Sequence, residues 1–131
     1  MRKIKFRGLD VMTGDWAYGS YVKTAMGLHW ILPQNLIADS IPQFKVDKDT
    51  VGQFTGLKDK NGKEIYEGDI LGADDEKPIY IEYSNKNAAF VFVDKFDPYG
   101  TELYTTKDIS YEGFEIIGNI HENPELLEVV G

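Results

Sequence analysis

The sequence has no cysteine, which excludes disulfides and thiolate metal sites and suits a reducing compartment. It contains no apolar run near the roughly 18 residues that a membrane helix requires. The basic start, Met1-Arg2-Lys3-Ile4-Lys5-Phe6-Arg7, has no apolar stretch behind it and does not read as a secretion signal. Repeats, low-complexity tracts and Pro/Ser-rich linkers are missing as well. These absences lead to the expectation of a soluble, cytoplasmic protein without membrane contact, folded as a single domain over residues 1–131.

Positive charge is scarce in one half only. Residues 1–50 hold seven Lys or Arg against five acids, a balance of +2, whereas residues 51–131 hold seven Lys against seventeen acids, a balance of −10. An acidic surface repels phosphate backbones, so nucleic acid is not the expected partner. Arg2, Lys3, Lys5 and Arg7 are the only basic cluster in sequence, and on a strand they divide between two faces. Such a strand reads as a solvated edge protected from aggregation.

What is abundant is aromatic residues, 13% of the chain and mostly Tyr and Phe, which suit half-buried pleated surfaces. Short apolar segments punctuated by glycine give the organisation. Ile4–Arg7 alternates as a strand, Met12–Asp15 reads as a turn, and Trp16–Val22 completes a first hairpin. Leu28–Leu32 is a third strand, stopped by Pro33. Residues 33–49, with Leu36, Ile37 and Ile41 and the charged "KVDKD", read as an irregular connection before a strand over Thr50–Thr55. Pro78–Tyr83 and Ala88–Val93 flank "SNKN" as a hairpin, and the second of these strands is expected to be covered on both faces. Asp97-Pro98-Tyr99-Gly100 reads as a turn and Gly113–Ile120 as the last strand. In "NPELLEVV", Asn123 suits an N-cap and Pro124 the first helical position, which predicts a short terminal helix docked through Leu126, Leu127 or Val130. The fold class expected is mainly β: antiparallel hairpins, partly curled into a small barrel in the second half, with a short C-terminal helix.

The most patterned stretch is "GLKDKNGKEIYEGDIL", Gly56 to Leu71. Read as a calcium loop, it places Asp59 and Asn61 at the third and fifth positions, but Leu57 and Gly68 then stand where the first and twelfth oxygens belong. Read as folding, Asp59-Lys60-Asn61-Gly62 is a turn with Asp at its first corner and Gly at the left-handed position. Glu67-Gly68-Asp69 makes a second reversal, with Asp69 placed to accept neighbouring backbone N–H groups. The turn reading accounts for all three glycines and two of the acids.

"TGLKDKNGKEIYEGDIL" (Thr55–Leu71) and "EIIGNIHENPELL" (Glu115–Leu127), with the opening "MRKIKFRGLDVMTGDW", resemble the YopX family of phage and prophage proteins. The resemblance covers both ends and the middle of the chain. It implies a small, mostly β domain of bacteriophage or prophage origin, and it carries no catalytic or ligand-binding residues across.

The residues themselves offer little chemistry. His29 lies in an apolar strand. His121 begins "HENPE", which lacks the second His of H-E-x-x-H and is broken by Pro124. Ser20, Ser40, Ser84 and Ser110 form no nucleophile elbow, and no phosphate-binding glycine loop is present. Asp74-Asp75-Glu76 reads as a solvated loop; the alternative is a weak divalent-cation site formed by clustering with Glu64, Glu67 and Asp69. No catalytic, cofactor-binding or metal residue is therefore assigned, and no cofactor. The expectation is a non-catalytic interaction module with an unknown phage or host protein as partner and the capacity to self-associate; Trp16, Tyr18 and Tyr21 are candidate anchors, though mostly expected in the core. The rivals are an acidic inhibitor or DNA mimic acting on a host nucleic-acid enzyme, and a small carboxylate-dependent enzyme.

Overall fold

The computed structural model describes residues 3–34, 42–97, 102–104 and 113–128. The chain divides into two compact units, Met1–Phe54 and Thr55–Gly131, and each holds a hydrophobic cluster of its own.

In the first unit, β1 (Phe6–Leu9) and β2 (Trp16–Lys23) form the expected hairpin. Its turn is set by Asp10, whose Oδ1 accepts the Met12 N–H at 2.8 Å while its carbonyl accepts the Gly14 N–H at 2.8 Å. β1 starts two residues later than its alternation predicted, because pairing with β2 begins at Phe6 opposite Gly19. β3 (His29–Leu32) lies on the other side of β2, and β4 (Phe44–Lys45) pairs with β3. The "KVDKD" stretch is more ordered than a plain connection. Val46 bridges to Asp10, and Asp47 caps a 3-10 turn over Lys48–Thr50 whose Thr50 hydroxyl receives the Leu9 N–H at 2.9 Å. Burial explains this: Val46 enters the cluster with Ala17 and Ile31, beside Phe6, Tyr21, Phe44 and Val51. Leu36, Ile37 and Ile41 lie outside the described residues.

β5 (Gly52–Lys58) pairs with β1 through Gly52 and Gln53, and its later residues belong to the second unit. There β6 (Glu64–Tyr66), β7 (Asp69–Gly72), β8 (Ile79–Ser84), β9 (Ala89–Asp94), β10 (Glu102–Tyr104) and β11 (Glu115–Asn119) follow. The last five form an antiparallel sheet in the order β10-β9-β8-β7-β11. Ile65, Leu71, Ile79, Ile81, Phe92 and Phe114 make its core. Val91, Phe92 and Val93 are consecutive and all buried, so β9 is covered on both faces, as its sequence predicted.

Two expectations are corrected. Among the described residues the second half does not close into a barrel: its sheet is open, with β10 and β11 at its edges. The terminal helix is instead a 3-10 turn over Pro124–Leu127. The Asn123 side chain accepts the Asn119 N–H at 3.2 Å and makes no cap hydrogen bond to the turn. Four residues cannot meet the cost of nucleating an α-helix before the chain extends again at Glu128. Leu127 is nevertheless buried, as expected of a docked terminus, while Val130 lies outside the described residues. Of the Asp97–Gly100 turn, only Asp97 is described.

Candidate functional site

The patterned central segment folds as two turns. Gly62 N–H donates to the Asp59 carbonyl at 3.0 Å, and Gly62 sits at φ +82°, the left-handed corner anticipated for it. Asp59 is buried and works through both carboxylate oxygens. Oδ1 accepts the N–H of Asn61 and of Lys63, each at 2.9 Å, and Oδ2 accepts the N–H of Ile116 at 3.0 Å. Burial pushes its pKa up, but the N–H groups of Ile116, Lys63 and Asn61 and the Lys63 charge outweigh this and hold it below its ordinary value. Three backbone donors therefore occupy the side chain that a cation-binding loop would have offered.

The second turn has the same logic. Asp69 is almost wholly buried and accepts the Tyr66 N–H at 2.7 Å. Between them Gly68 donates its N–H to Ile81 and accepts that of Ile120, both at 2.8 Å. A Cβ on Gly68 would stand 3.3 Å from His121 Nε2, so the sequence's second histidine lies against this turn. Asn119 holds the following reversal, its Oδ1 accepting the N–H of His121 and of Glu122. Asn61 Nδ2 donates to Glu115, and Lys60 N–H donates to the Phe114 carbonyl. The central and C-terminal motifs, far apart in sequence, are thus halves of one hydrogen-bonded constellation. Sequence spacing carries no signal of that union.

Other singled-out residues take structural places. His29 stacks on Tyr21 with ring centroids 5.8 Å apart and shares a hydrogen bond with its hydroxyl. Asp74, Asp75 and Glu76 are exposed in the β7–β8 connection. Among the described residues no three of His, Asp and Glu come together as metal ligands. Ser84 Oγ accepts the Asn87 N–H within the β8–β9 turn, Ser20 Oγ accepts from Gln34, and Ser40 and Ser110 lie outside the described residues.

The three candidate anchors part company. Tyr21 packs on Phe6 at the edge of the first unit's cluster. Trp16 is half-buried, with the Arg7 guanidinium 4.4 Å from its ring centroid, a cation–π contact that fixes the indole. Tyr18 is 47% exposed. It stands where two hollows meet: one of about 330 Å³ lined by Asp10, Asp15, Trp16, Pro33 and Phe44, the other of about 220 Å³ lined by Lys3, Lys5, Pro33 and Gln34. In the sequence Pro33 signalled only the end of a strand and Phe44 nothing; the pairing of β3 with β4 brings them to this surface.

Among curated proteins none matches the sequence. Solved structures similar to it include the following two. Protein EF1440 from Enterococcus faecalis is 26% identical, with a TM-score of 0.60 over 98% of this chain and 100% of that one. YopX from Bacillus subtilis is 18% identical, with a TM-score of 0.54 over the whole of both chains, a likeness of fold. The YopX protein family model matches residues 5–128, across both motifs, and the chain belongs to the YopX family.

Proposed function

We propose that this YopX protein is a non-catalytic accessory protein of a bacteriophage or prophage, and that it acts by docking a protein partner through its first unit. The observation carrying this reading is the distribution of uncovered apolar surface. Ile4, Val11, Met12, Tyr18, Val22 and Met26 are six of the eight large apolar side chains exposed among the described residues, and all six belong to residues 1–54. Apolar exposure concentrated in one unit is a property of interaction surfaces, and a Tyr beside a Trp is a common anchor pair. Asp10 and Asp15 line one of the hollows at Tyr18 and Lys3 and Lys5 the other, which supplies polar surroundings for such an anchor.

A photo-crosslinking residue in place of Tyr18 tests the reading in phage-infected cells. One defined protein adduct is expected, absent when the probe replaces Tyr83 of the second unit. Identical adducts from both positions, or none from Tyr18, would overturn it.

The balance of −10 over residues 51–131 favours a second reading, an acidic inhibitor that occupies the DNA site of a host enzyme. It requires that excess purified protein slow a host polymerase or nuclease, and that salt relieve the inhibition.

A further inference from the structure

The turn that closes the central motif also holds a reactive pair at the surface. Asn61 and Gly62 are both exposed, and Gly62 has open space where a Cβ would stand. A side chain on the residue after an asparagine normally shields that residue's own backbone nitrogen. Glycine supplies no shield, so the Gly62 nitrogen is open to approach by the Asn61 side-chain carbon Cγ. Of the six asparagines in the chain, Asn61 alone precedes glycine, and Asn123 precedes proline, whose nitrogen carries no proton.

Two hydrogen bonds restrain the pair. Gly62 N–H donates to the Asp59 carbonyl at 3.0 Å, and Asn61 Nδ2 donates to Glu115 Oε2 at 3.2 Å. The second contact spans 54 residues and ties the central motif to β11. It lies at the surface, where water replaces a lost partner at little cost, so it slows chemistry at Asn61 without preventing it.

We propose that Asn61 is a site of spontaneous deamidation, and that the modification loosens the joint between the central and C-terminal motifs. Hydroxide removes the Gly62 amide proton, and the nitrogen attacks Asn61 Cγ. The Cγ–Nδ2 bond breaks, and the departing nitrogen takes a proton from water and leaves as ammonia. Water then opens the cyclic imide at either carbonyl. One opening leaves an aspartate in place of Asn61; the other leaves an isoaspartate, whose backbone runs through the side chain and is one carbon longer. Either product sets a carboxylate where a donor faced Glu115, so an attraction becomes a repulsion. The isoaspartate also stretches a turn closed on both sides, by Asp59 N–H on the Lys63 carbonyl at 2.8 Å and by Lys63 N–H on Asp59 Oδ1 at 2.9 Å. This inference is independent of the docking surface around Tyr18.

The test incubates the full chain in warm, mildly alkaline buffer and follows each asparagine by peptide mapping and mass spectrometry. Asn61 is expected to lose its amide ahead of the other five, and faster as pH rises. Glu115→Ala should speed the loss about fivefold, as release of one exposed hydrogen bond implies, and Gly62→Ala should nearly abolish it. Aged protein should melt about 4 °C below fresh protein, with Asn61→Asp reproducing part of that shift. An Asn61 that keeps its amide while an unfolded peptide of residues 55–71 loses it would overturn the site. So would undiminished loss in Gly62→Ala. A modified chain that melts with the fresh protein, or a Glu115→Ala rate equal to the wild type's, would overturn the link to the joint.

Discussion

Asp59 and Ile116 are 57 residues apart, and the carboxylate of one accepts the backbone N–H of the other at 3.0 Å. The same side chain holds its own turn through Asn61 and Lys63, so one residue both shapes a loop and ties it to a distant strand.

Removing that carboxylate should therefore destabilise the second unit. Asp59→Ala strands three backbone donors, and hydrogen bonds to a charged acceptor contribute about 1.5–3 kcal/mol each before water recovers the exposed ones. A loss on the order of 3 kcal/mol is expected from chemical denaturation, with Asp59→Asn losing about half as much. No change in midpoint for Asp59→Ala would contradict this role.

The same residue sets a dependence on pH. Folding lowers the Asp59 pKa, so the unfolded chain binds its proton more readily than the folded one. The stabilisation is complete above the unfolded value of about 3.9 and is lost as pH falls below that through the folded value. Thermal melts of the wild type and Asp59→Asn between pH 6 and 2.5 should converge at the acid end. Parallel curves throughout would mean that Asp59 does not titrate as described.

Gly19 is fixed by proximity. A Cβ there would stand 2.0 Å from the Leu32 carbonyl oxygen across the β2–β3 pair. Gly19→Ala must push the two backbones apart, at a cost of about 3 kcal/mol or more. Gly62→Ala meets open space and is strained only by its φ of +82°. Its cost is about 1–2 kcal/mol, so the ranking of the two midpoints is the measurement. A Gly19→Ala protein as stable as Gly62→Ala would show that the strands give way freely.

Ile65 is fully buried in the second unit's cluster. Ile65→Ala should cost about 2–5 kcal/mol and Ile65→Val about 0.5–1.5 kcal/mol. Urea titrations with unchanged slopes check both. Equal, small effects would remove Ile65 from the core.

Tyr18 should behave in the opposite way. With nearly half its surface exposed, Tyr18→Ala is expected to shift stability by less than about 1 kcal/mol. A large loss of stability would make Tyr18 a packing residue, and the docking surface would have to lie elsewhere.

Local chemistry was legible from the residues. "DKNG" announced its turn because Asp and Gly satisfy backbone demands within four positions, and Val91 to Val93 announced a doubly covered strand through unbroken apolar character. Asn123 misled because its side chain has two competing uses. As an N-cap it would start a helix, but its Oδ1 reaches back to Asn119 instead. The expected barrel failed for a related reason: hairpin signals specify neighbouring strands and say nothing of whether the outermost two meet.

The amino-acid order alone determined that this chain is a β-rich YopX protein built from short hairpins, because turn residues and alternation act over a few positions at a time. Only the tertiary structure decided that the central and C-terminal motifs are one constellation, that β11 ends its sheet under the Asp59 turn, and that Tyr18 of the three candidate aromatics faces solvent. Those outcomes depend on which distant backbone groups reach each other first and on how much apolar area each arrangement buries, and no local pattern encodes either quantity.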